Sequence, residues 1–578
     1  MALTAEQKYY IKKNIEPLGI KKNSENLSLP EKNILKYLKN HLPEKKYRKI
    51  TGDFISGKNT ASVKNAAFDL KQFLLNNTNY FVLFFLLIFI VYLNSFDNAF
   101  VSDDILGTQK NSTFLDWNNL RHLSAWPFLP NFILFKLGLT TPFFFRIIGI
   151  FFHLGSVYFI FIILNILAKK NTAIFAALLF AVHPILIESV AWISGRSYSQ
   201  YGFFFLASLL CYLLFYKSGK NNPKLFWLSV FFFFLAVLSS EKAVALLAIF
   251  PLYELAFGNF KKTCKKLWPF LFIAIIFATI YLGQAGQRIS DLNTQYYSNA
   301  SGLYNPLEQI PIAIGSYLGL IFWPDKLTLY HSEMSFSAGI YSICLLVFLI
   351  FGGLIFYGWK KNKFIFFWLS FFFISLAPTL TPLKISWIVA ERYAYIGTLG
   401  ILATVAYFFN RLLEKFPAKK IWFYSFFAII ILLLSIRAIA RNIDWDSEDN
   451  LYLAAAETSP SSPVNHNNLG DVHSRRGDNE KAIEEFKKAI AINPRYGDAF
   501  HNLALTYQNM KSFDLAIENY QEAIKYNPDS WQSFRNLAAI YFTQGNYPKA
   551  YEAIKKSAEI NQTDSQLQEN LKTIEGKL

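Results

Sequence analysis

Cysteine is scarce. Cys211, Cys264 and Cys344 are the three in 578 residues, each in or beside an apolar run. Three so scattered exclude a disulfide framework and a cysteine-based zinc site. Acidic residues are also short, 40 Asp and Glu against 57 Lys and Arg, for a formal net charge of +17. The basic excess forms no amphipathic face interleaved with base-stacking aromatics, so nucleic acid is not an expected partner. The first 77 residues lack the short apolar core and small-residue cleavage site of a secretory signal peptide.

What is abundant is apolar and aromatic. Hydrophobic residues make up 53% of the chain, with 59 Phe and 32 Tyr. From position 80 to about 437 they gather into runs at 80–96, 143–167, 173–190, 200–215, 225–238, 243–257, 267–282, 338–356, 364–376, 394–409 and 421–436. Several approach the roughly 20 residues that cross a bilayer as a helix. The pattern predicts an all-α polytopic membrane helical bundle of about eleven spans. Alternate connections are rich in Lys and Arg, at 169–170, 217–224, 261–266, 360–363 and 411–420. With a basic N-terminal region, fifteen Lys and Arg against seven Asp and Glu, these are predicted to be cytoplasmic. That region reads either as a solvated tail or as a contact for anionic membrane lipids through Tyr9, Tyr10, Ile11, Leu35 and Leu38. An odd number of crossings then puts the C-terminal region outside.

The other connections differ in kind. They hold Asp103-Asp104, Ser194-Gly195-Arg196, Ser239-Ser240-Glu241-Lys242, a long segment from 283 to 337, and 379–392. Ionisable and small polar residues therefore collect on the non-cytoplasmic side. Arg146, His153 and Glu188 lie in or at the ends of spans, where an ionisable residue is a functional candidate by default. Arg146 and His153, seven apart, share a helix face. His153 alone reads first as a hydrogen-bonded interior histidine and second as a catalytic one. His183-Pro184 interrupts the third run, as a kink or as a broken helix lining a polar cavity. Asp103 and Asp104 taken alone fit a solvated turn at a membrane exit as well as a pair of working carboxylates.

In order, the chain carries Phe100-Val101-Ser102-Asp103-Asp104, His183-Pro184-Ile185-Leu186-Ile187-Glu188-Ser189-Val190-Ala191, Gly195-Arg196, Ser240-Glu241-Lys242, Ala390-Glu391-Arg392-Tyr393-Ala394-Tyr395 and Arg441-Asn442-Ile443-Asp444-Trp445. This ordered set resembles the transmembrane and tetratricopeptide-containing O-mannosyltransferases and their bacterial relatives, glycosyltransferases of the type C fold. The long segment with Tyr317-Leu318 and Trp323-Pro324 fits as well. The resemblance implies transfer of a sugar, a hexose such as mannose, from a polyprenyl-phosphate carrier to an acceptor, Ser or Thr of a protein, with inversion. It assigns catalysis to Asp103 or Asp104, a carboxylate base for the attacking hydroxyl. Arg196, Lys242 and Arg392 would meet the donor phosphate, and His153, His183, Glu188, Glu241 and Glu391 would support them. Ion pairs that merely orient helix ends are the alternative for the three cations. The resemblance names no cofactor beyond the lipid-linked donor substrate, and a divalent cation, if one takes part, would fall on Asp103 and Asp104. One departure stands out: where the family has an aromatic-Arg-Pro triplet in the first loop, this chain has Ala125-Trp126-Pro127, with Arg121 and His122 nearby.

From Asn450 a repeat begins. Asn468-Leu469, Asn502-Leu503 and Asn536-Leu537 recur at the 34-residue tetratricopeptide period, as do Ala482, Ala516 and Ala550. Gly470, Ala504 and Ala538 are small enough for close helix pairs, and Phe486, Tyr520 and Ile554 would fill between them. A half repeat at 449–458 and a capping helix at 564–574 are expected at the two ends. Asn468, Asn502 and Asn536 would bind a peptide backbone from the acceptor or a partner protein.

The expected organisation is a basic N-terminal region 1–78, a glycosyltransferase-like membrane domain 79–437 with outer loops 97–142 and 283–337, and an extracytoplasmic repeat domain 438–578. The Lys-, Asn- and Ile-rich composition fits a bacterium with an AT-rich genome, making the membrane the plasma (inner) membrane and the lipid undecaprenyl phosphate. Two rival readings are an O-antigen-ligase-like oligosaccharide transferase, with key residues late in a large outer loop, and a non-catalytic membrane-anchored scaffold that tolerates neutral residues at 103 and 104.

Overall fold

The computed structural model describes residues 68–217, 222–295, 305–329, 331, 337–380, 388–562 and 564–578, with isolated positions before 68. Most of the basic N-terminal region, and parts of the segments predicted at 283–337 and 379–392, lie outside the described residues. The chain resolves into two compact units, Met1–Leu70 with Tyr216–Asn221, and Lys71–Phe215 with Asn222–Leu578. In the first, Ile11, Ile34 and Leu38 are buried. Everything below concerns the second.

Among the described residues there are helices and turns and no strand. Seven helices among the described residues are long and apolar enough to cross a membrane: Thr78–Ser95, Pro142–Leu167, Arg196–Tyr216, Cys264–Gly283, Ala338–Lys361, Glu391–Lys415 and Pro417–Asp444. The pair Lys170–Val182 and Pro184–Val190, bent by 57°, has the length and composition of an eighth as a broken span, or of a re-entrant loop. Pro223–Ser239, Pro306–Phe322 and Lys363–Thr379 are shorter apolar helices. This is a multi-pass membrane protein. Two predicted elements differ in detail. The run at 243–257 folds as a 3-10 turn, Glu241–Ala248, and an eight-residue helix, Ile249–Ala256. The helix Pro306–Phe322 occupies a stretch predicted as loop, where Pro306 and Pro311 obscure its periodicity.

We label the helices that position the site α1 (Thr78–Tyr92), α2 (Pro142–Leu167), α3 (Lys170–Val182), α4 (Ile187–Val190), α5 (Arg196–Lys217), α6 (Pro306–Phe322), α7 (Tyr395–Lys415) and α8 (Lys420–Asp444). α3 packs between α2 and α7 and is interior, whereas most of α8 carries exposed Leu, Ile and Phe, as a lipid-facing helix should. Gly149 of α2 permits one close approach: a Cβ there would lie 2.7 Å from the Val190 carbonyl oxygen. α2 and α4 therefore touch backbone to backbone.

The C-terminal part is a helical solenoid. Continuing the numbering, α9 (Glu448–Thr458) precedes the antiparallel pairs α10 (Pro463–Arg475) with α11 (Asn479–Ile492), α12 (Gly497–Asn509) with α13 (Phe513–Tyr526), and α14 (Trp531–Thr543) with α15 (Tyr547–Ile560). α16 (Ser565–Glu575) covers the last pair. Gly470, Ala504 and Ala538 are buried against Phe486, Tyr520 and Ile554, the close packing their size predicts.

Candidate active site

The site is assembled where the first loop, the α4–α5 turn, the start of α7 and the end of α8 meet. The loop leaves α1 and is anchored at once. Arg146 of α2 donates through its guanidinium to the carbonyls of Asn98 and Ala99, and through Nε to the Ala191 carbonyl at 3.1 Å. Asn98 Nδ2 donates to the Asn442 carbonyl at 2.9 Å, and the Ala99 N–H to the Asp446 carbonyl at 2.8 Å. Phe100 packs on a small core of Leu134, Phe145 and Ile193. Arg146 thus ties three backbone segments together inside the protein.

This anchoring places the two acids differently. Ser102 adopts φ 53°, a left-handed conformation costly for a residue with a Cβ. The cost is offset in part by its N–H, which donates to Glu448 Oε1 of α9 at 3.2 Å. Asp104 then turns inward and is 0% exposed. Its Oδ1 accepts from the Ser194 N–H at 2.7 Å and from Ser194 Oγ at 2.5 Å. Asp103 is exposed and lines a cavity of about 600 Å³ shared with Glu448, Tyr452, Asn467, Asn468 and Asn502 of the solenoid. The adjacent carboxylates face opposite ways. Among the described residues no three His, Cys, Asp or Glu side chains converge as a metal-ligand set.

Burial pushes the Asp104 carboxyl up to about 6, against the pull of its Ser194 hydrogen bonds. A carboxyl raised in the folded state stabilises the fold below its unfolded pKa and loses that contribution as pH rises through 6. Across roughly pH 4 to 6 wild-type stability should therefore fall by an amount that Asp104→Asn removes, on the order of 3 kcal/mol. Thermal melts of both proteins at several pH values check this: the variant should gain on wild type as pH rises, and parallel curves would refute it.

The α4–α5 turn is shaped by Gly195. A Cβ there would overlap the Glu188 carbonyl oxygen and press on Trp192. Gly195→Ala should displace Ser194 from Asp104 and cost about 1–3 kcal/mol, read as a lower melting temperature. An unchanged melt would show that the turn has room to shift.

The cations form two groups. Arg392 is paired with Glu188, which is 0% exposed and accepts from the Arg392 N–H at 2.7 Å and from its guanidinium. The Arg392 guanidinium also lies 5.5 Å from the Trp192 ring and 5.2 Å from the Tyr393 ring. Lys242 donates to Glu241 at 3.1 Å and sits over Tyr198 and Tyr393, at 5.3 and 5.4 Å. The shared Tyr393 brings Lys242 and Arg392 to one place. Both cations keep a partly exposed side chain, 18% and 14%. Arg196 is buried deeper, with Nη2 donating to Asn131 Oδ1 at 2.8 Å and Nη1 without a partner among the described residues.

The supporting residues divide similarly. His183 stands at the bend between α3 and α4, where Nδ1 accepts from the Ile185 N–H at 3.3 Å and Nε2 donates to the Ile321 carbonyl of α6 at 2.9 Å. It shapes the bend that carries Glu188. His153 is interior, bonded to Tyr395 Oη at 3.1 Å and the Ala181 carbonyl at 3.2 Å. Glu391 pairs with Arg441 of α8 at 3.1 Å rather than with a neighbouring cation. Asn468 and Asn502 line the cavity, but Asn536 is not brought there: its Nδ2 donates to Tyr520 Oη at 3.1 Å within the repeat. Trp126, in place of the family's Arg, is half exposed and donates to the Leu120 carbonyl at 2.9 Å.

Several residues that sequence reasoning left without a role belong to the same assembly. Trp192 stacks on Trp445 at 5.4 Å, with Arg392 beside the first ring and Arg441 5.6 Å from the second. This four-member stack joins the cation cluster to the end of α8, two residues before α9 begins its cap at Ser447. In the sequence Ser194 reads only as a loop residue, and Trp445 only as the end of a motif. A tryptophan closing a polar motif at a membrane exit was the one available signal.

Models of the tetratricopeptide repeat match residues 470–511, 497–530 and 519–552. The chain is 25% identical over 436 residues to "Protein O-mannosyl-transferase TMTC3" of Homo sapiens, covering 68% of this chain and 46% of that protein. The chain is therefore similar in sequence to proteins named protein O-mannosyl-transferases. The mouse TMTC3 protein is 26% identical over the same shares, and the Drosophila melanogaster Tmtc3 protein 24% identical over 60% of this chain and 43% of its own length. The chain thus spans about half the length of the curated relatives it matches.

Proposed function

We propose that this protein transfers a hexose, mannose first among candidates, from a polyprenyl-phosphate carrier to a Ser or Thr hydroxyl of a protein. The observation that carries the reading is the opposed placement of the two acids. Asp103 opens into a cavity walled by the solenoid, where a polypeptide can reach it, while Asp104 is locked to Ser194 and fixes the loop. In this scheme the acceptor hydroxyl gives its proton to the Asp103 carboxylate as its oxygen bonds to the anomeric carbon. The bond from that carbon to the phosphate oxygen breaks, and the electron pair leaves with the polyprenyl phosphate. Attack opposite the leaving group inverts the centre. Arg392 and Lys242 offset the charge that grows on the phosphate, Arg392 with a planar fork suited to it. Arg196, buried and one contact short, steadies the turn behind them.

The lysine- and arginine-rich connections support a reading in which the site and the solenoid lie on the non-cytoplasmic side and the N-terminal region is cytoplasmic; a plasma-membrane setting belongs to the same proposal. A lipid-linked donor remains in the bilayer, which fits a site at a membrane surface. The test is sugar transfer by the purified full chain in detergent, supplied with polyprenyl-phosphate mannose and other polyprenyl-phosphate hexoses together with extracytoplasmic proteins as acceptors. Incorporation of sugar into Ser or Thr supports the reading. Turnover onto a lipid or glycan acceptor, with protein untouched, would move the protein to the ligase-like class.

A further inference from the structure

The charged side chains that line the cavity between the first loop and the solenoid are acidic, and a cation beside them, Arg535, is spent on the Trp531 ring at 5.3 Å. Asp103 and Glu448 stand at its bundle end, Asp498 and Asp529 along the repeats, and among the described residues that line it there is no Lys or Arg. His501 in the same lining adds no positive charge at neutral pH. Burial, and after it the positive charge of Arg535, pushes its imidazole down to about 4, and Nδ1 is engaged with Ser533 Oγ at 2.7 Å. The chain as a whole is strongly basic, so this acidic cavity is a local reversal.

The rest of the lining fits an extended polypeptide. Asn467, Asn468, Asn502 and Asn527 supply carboxamides that both donate and accept. Asn502 Nδ2 donates to Asn467 Oδ1 at 3.0 Å, so part of the row is already oriented. Tyr452, Tyr496 and Trp531 give aromatic wall between the carboxylates. Long basic side chains can lay their stems on such rings and reach carboxylates with their heads. Burial holds the Asp498 carboxyl above its ordinary value, a penalty that a cation beside it relieves.

We propose that this cavity selects an extended lysine- or arginine-rich polypeptide segment as acceptor, with its cationic side chains at Asp498 and Asp529 and its Ser or Thr at Asp103. The proposal rests on the reading of Asp103 as the carboxylate that meets the acceptor.

Binding can be measured without any sugar donor. The full chain in detergent is titrated into fluorescent peptides of equal length in which one Ser-Thr core is flanked by Lys, by Ala or by Glu, and anisotropy is read. The Lys-flanked peptide should bind about tenfold tighter than the Glu-flanked one, with an advantage that shrinks between about 50 and 500 mM salt. Asp498→Asn with Asp529→Asn should bring the two peptides within about threefold, and Lys at both positions should reverse the order. Circular dichroism melts establish that each variant is folded. Equal or tighter binding of the Glu-flanked peptide to wild type, no binding of the Lys-flanked peptide, or a full preference retained by the Asn variant overturns the proposal. Asp103→Asn separates the two readings: if transfer survives it while the charge preference persists, the catalytic assignment falls and the cavity's selectivity stands.

Discussion

Asp103→Asn is expected to lower sugar transfer by about 10²- to 10⁴-fold, the usual contribution of a positioned general base, and to leave the melting temperature unchanged. Asp103 is exposed, so its neutralisation removes no interior contact. Asp104→Asn should behave differently. Its carboxylate anchors Ser194 through two short hydrogen bonds in a fully buried position. The variant should disturb the α4–α5 turn, with a change in stability that tracks pH and a smaller loss of transfer that follows from the displaced turn. Measuring kcat/KM beside the melt separates the roles. If Asp104→Asn alone abolished transfer while melting like wild type at every pH, and Asp103→Asn were active, the base would be the buried acid and the loop would have to open for chemistry.

The sequence made the architecture legible where periodicity was long and clean. Apolar runs with basic hinges mark a membrane bundle, and Asn468-Leu469 with its echoes marks a solenoid, because both depend on local patterns. The element boundaries inside the bundle were less legible. Ile249–Ala256 and its 3-10 lead-in are as apolar as a crossing, and only the neighbouring helices decide that the chain turns there. Residues of the site were visible as types but not as partners. Arg392 could be named, but its pairing with Glu188, 204 positions away, is a product of the bend at His183. Asp103 and Asp104 look identical in sequence. What distinguishes them is the left-handed turn at Ser102 and the pull of Ser194, both set by tertiary contacts.

The Glu188–Arg392 pair supports the second large effect. Arg392→Ala should lower transfer by about 10²- to 10³-fold, with a raised KM for the polyprenyl-phosphate donor, because a cation at the leaving group is lost. It should also destabilise the protein by about 3–5 kcal/mol, since Glu188 is left buried at the end of a bent helix without its charge partner. These two consequences can be pulled apart. Glu188→Gln removes the buried charge but keeps an oxygen able to accept from the backbone N–H of residue 392. Combined with Arg392→Ala, it should recover most of the lost stability and none of the lost transfer, a non-additive cycle in the melt and an additive one in the kinetics. Recovery of transfer together with stability would mean that Arg392 serves the fold alone, and would leave Lys242, held between Tyr198 and Tyr393, as the cation that meets the donor phosphate.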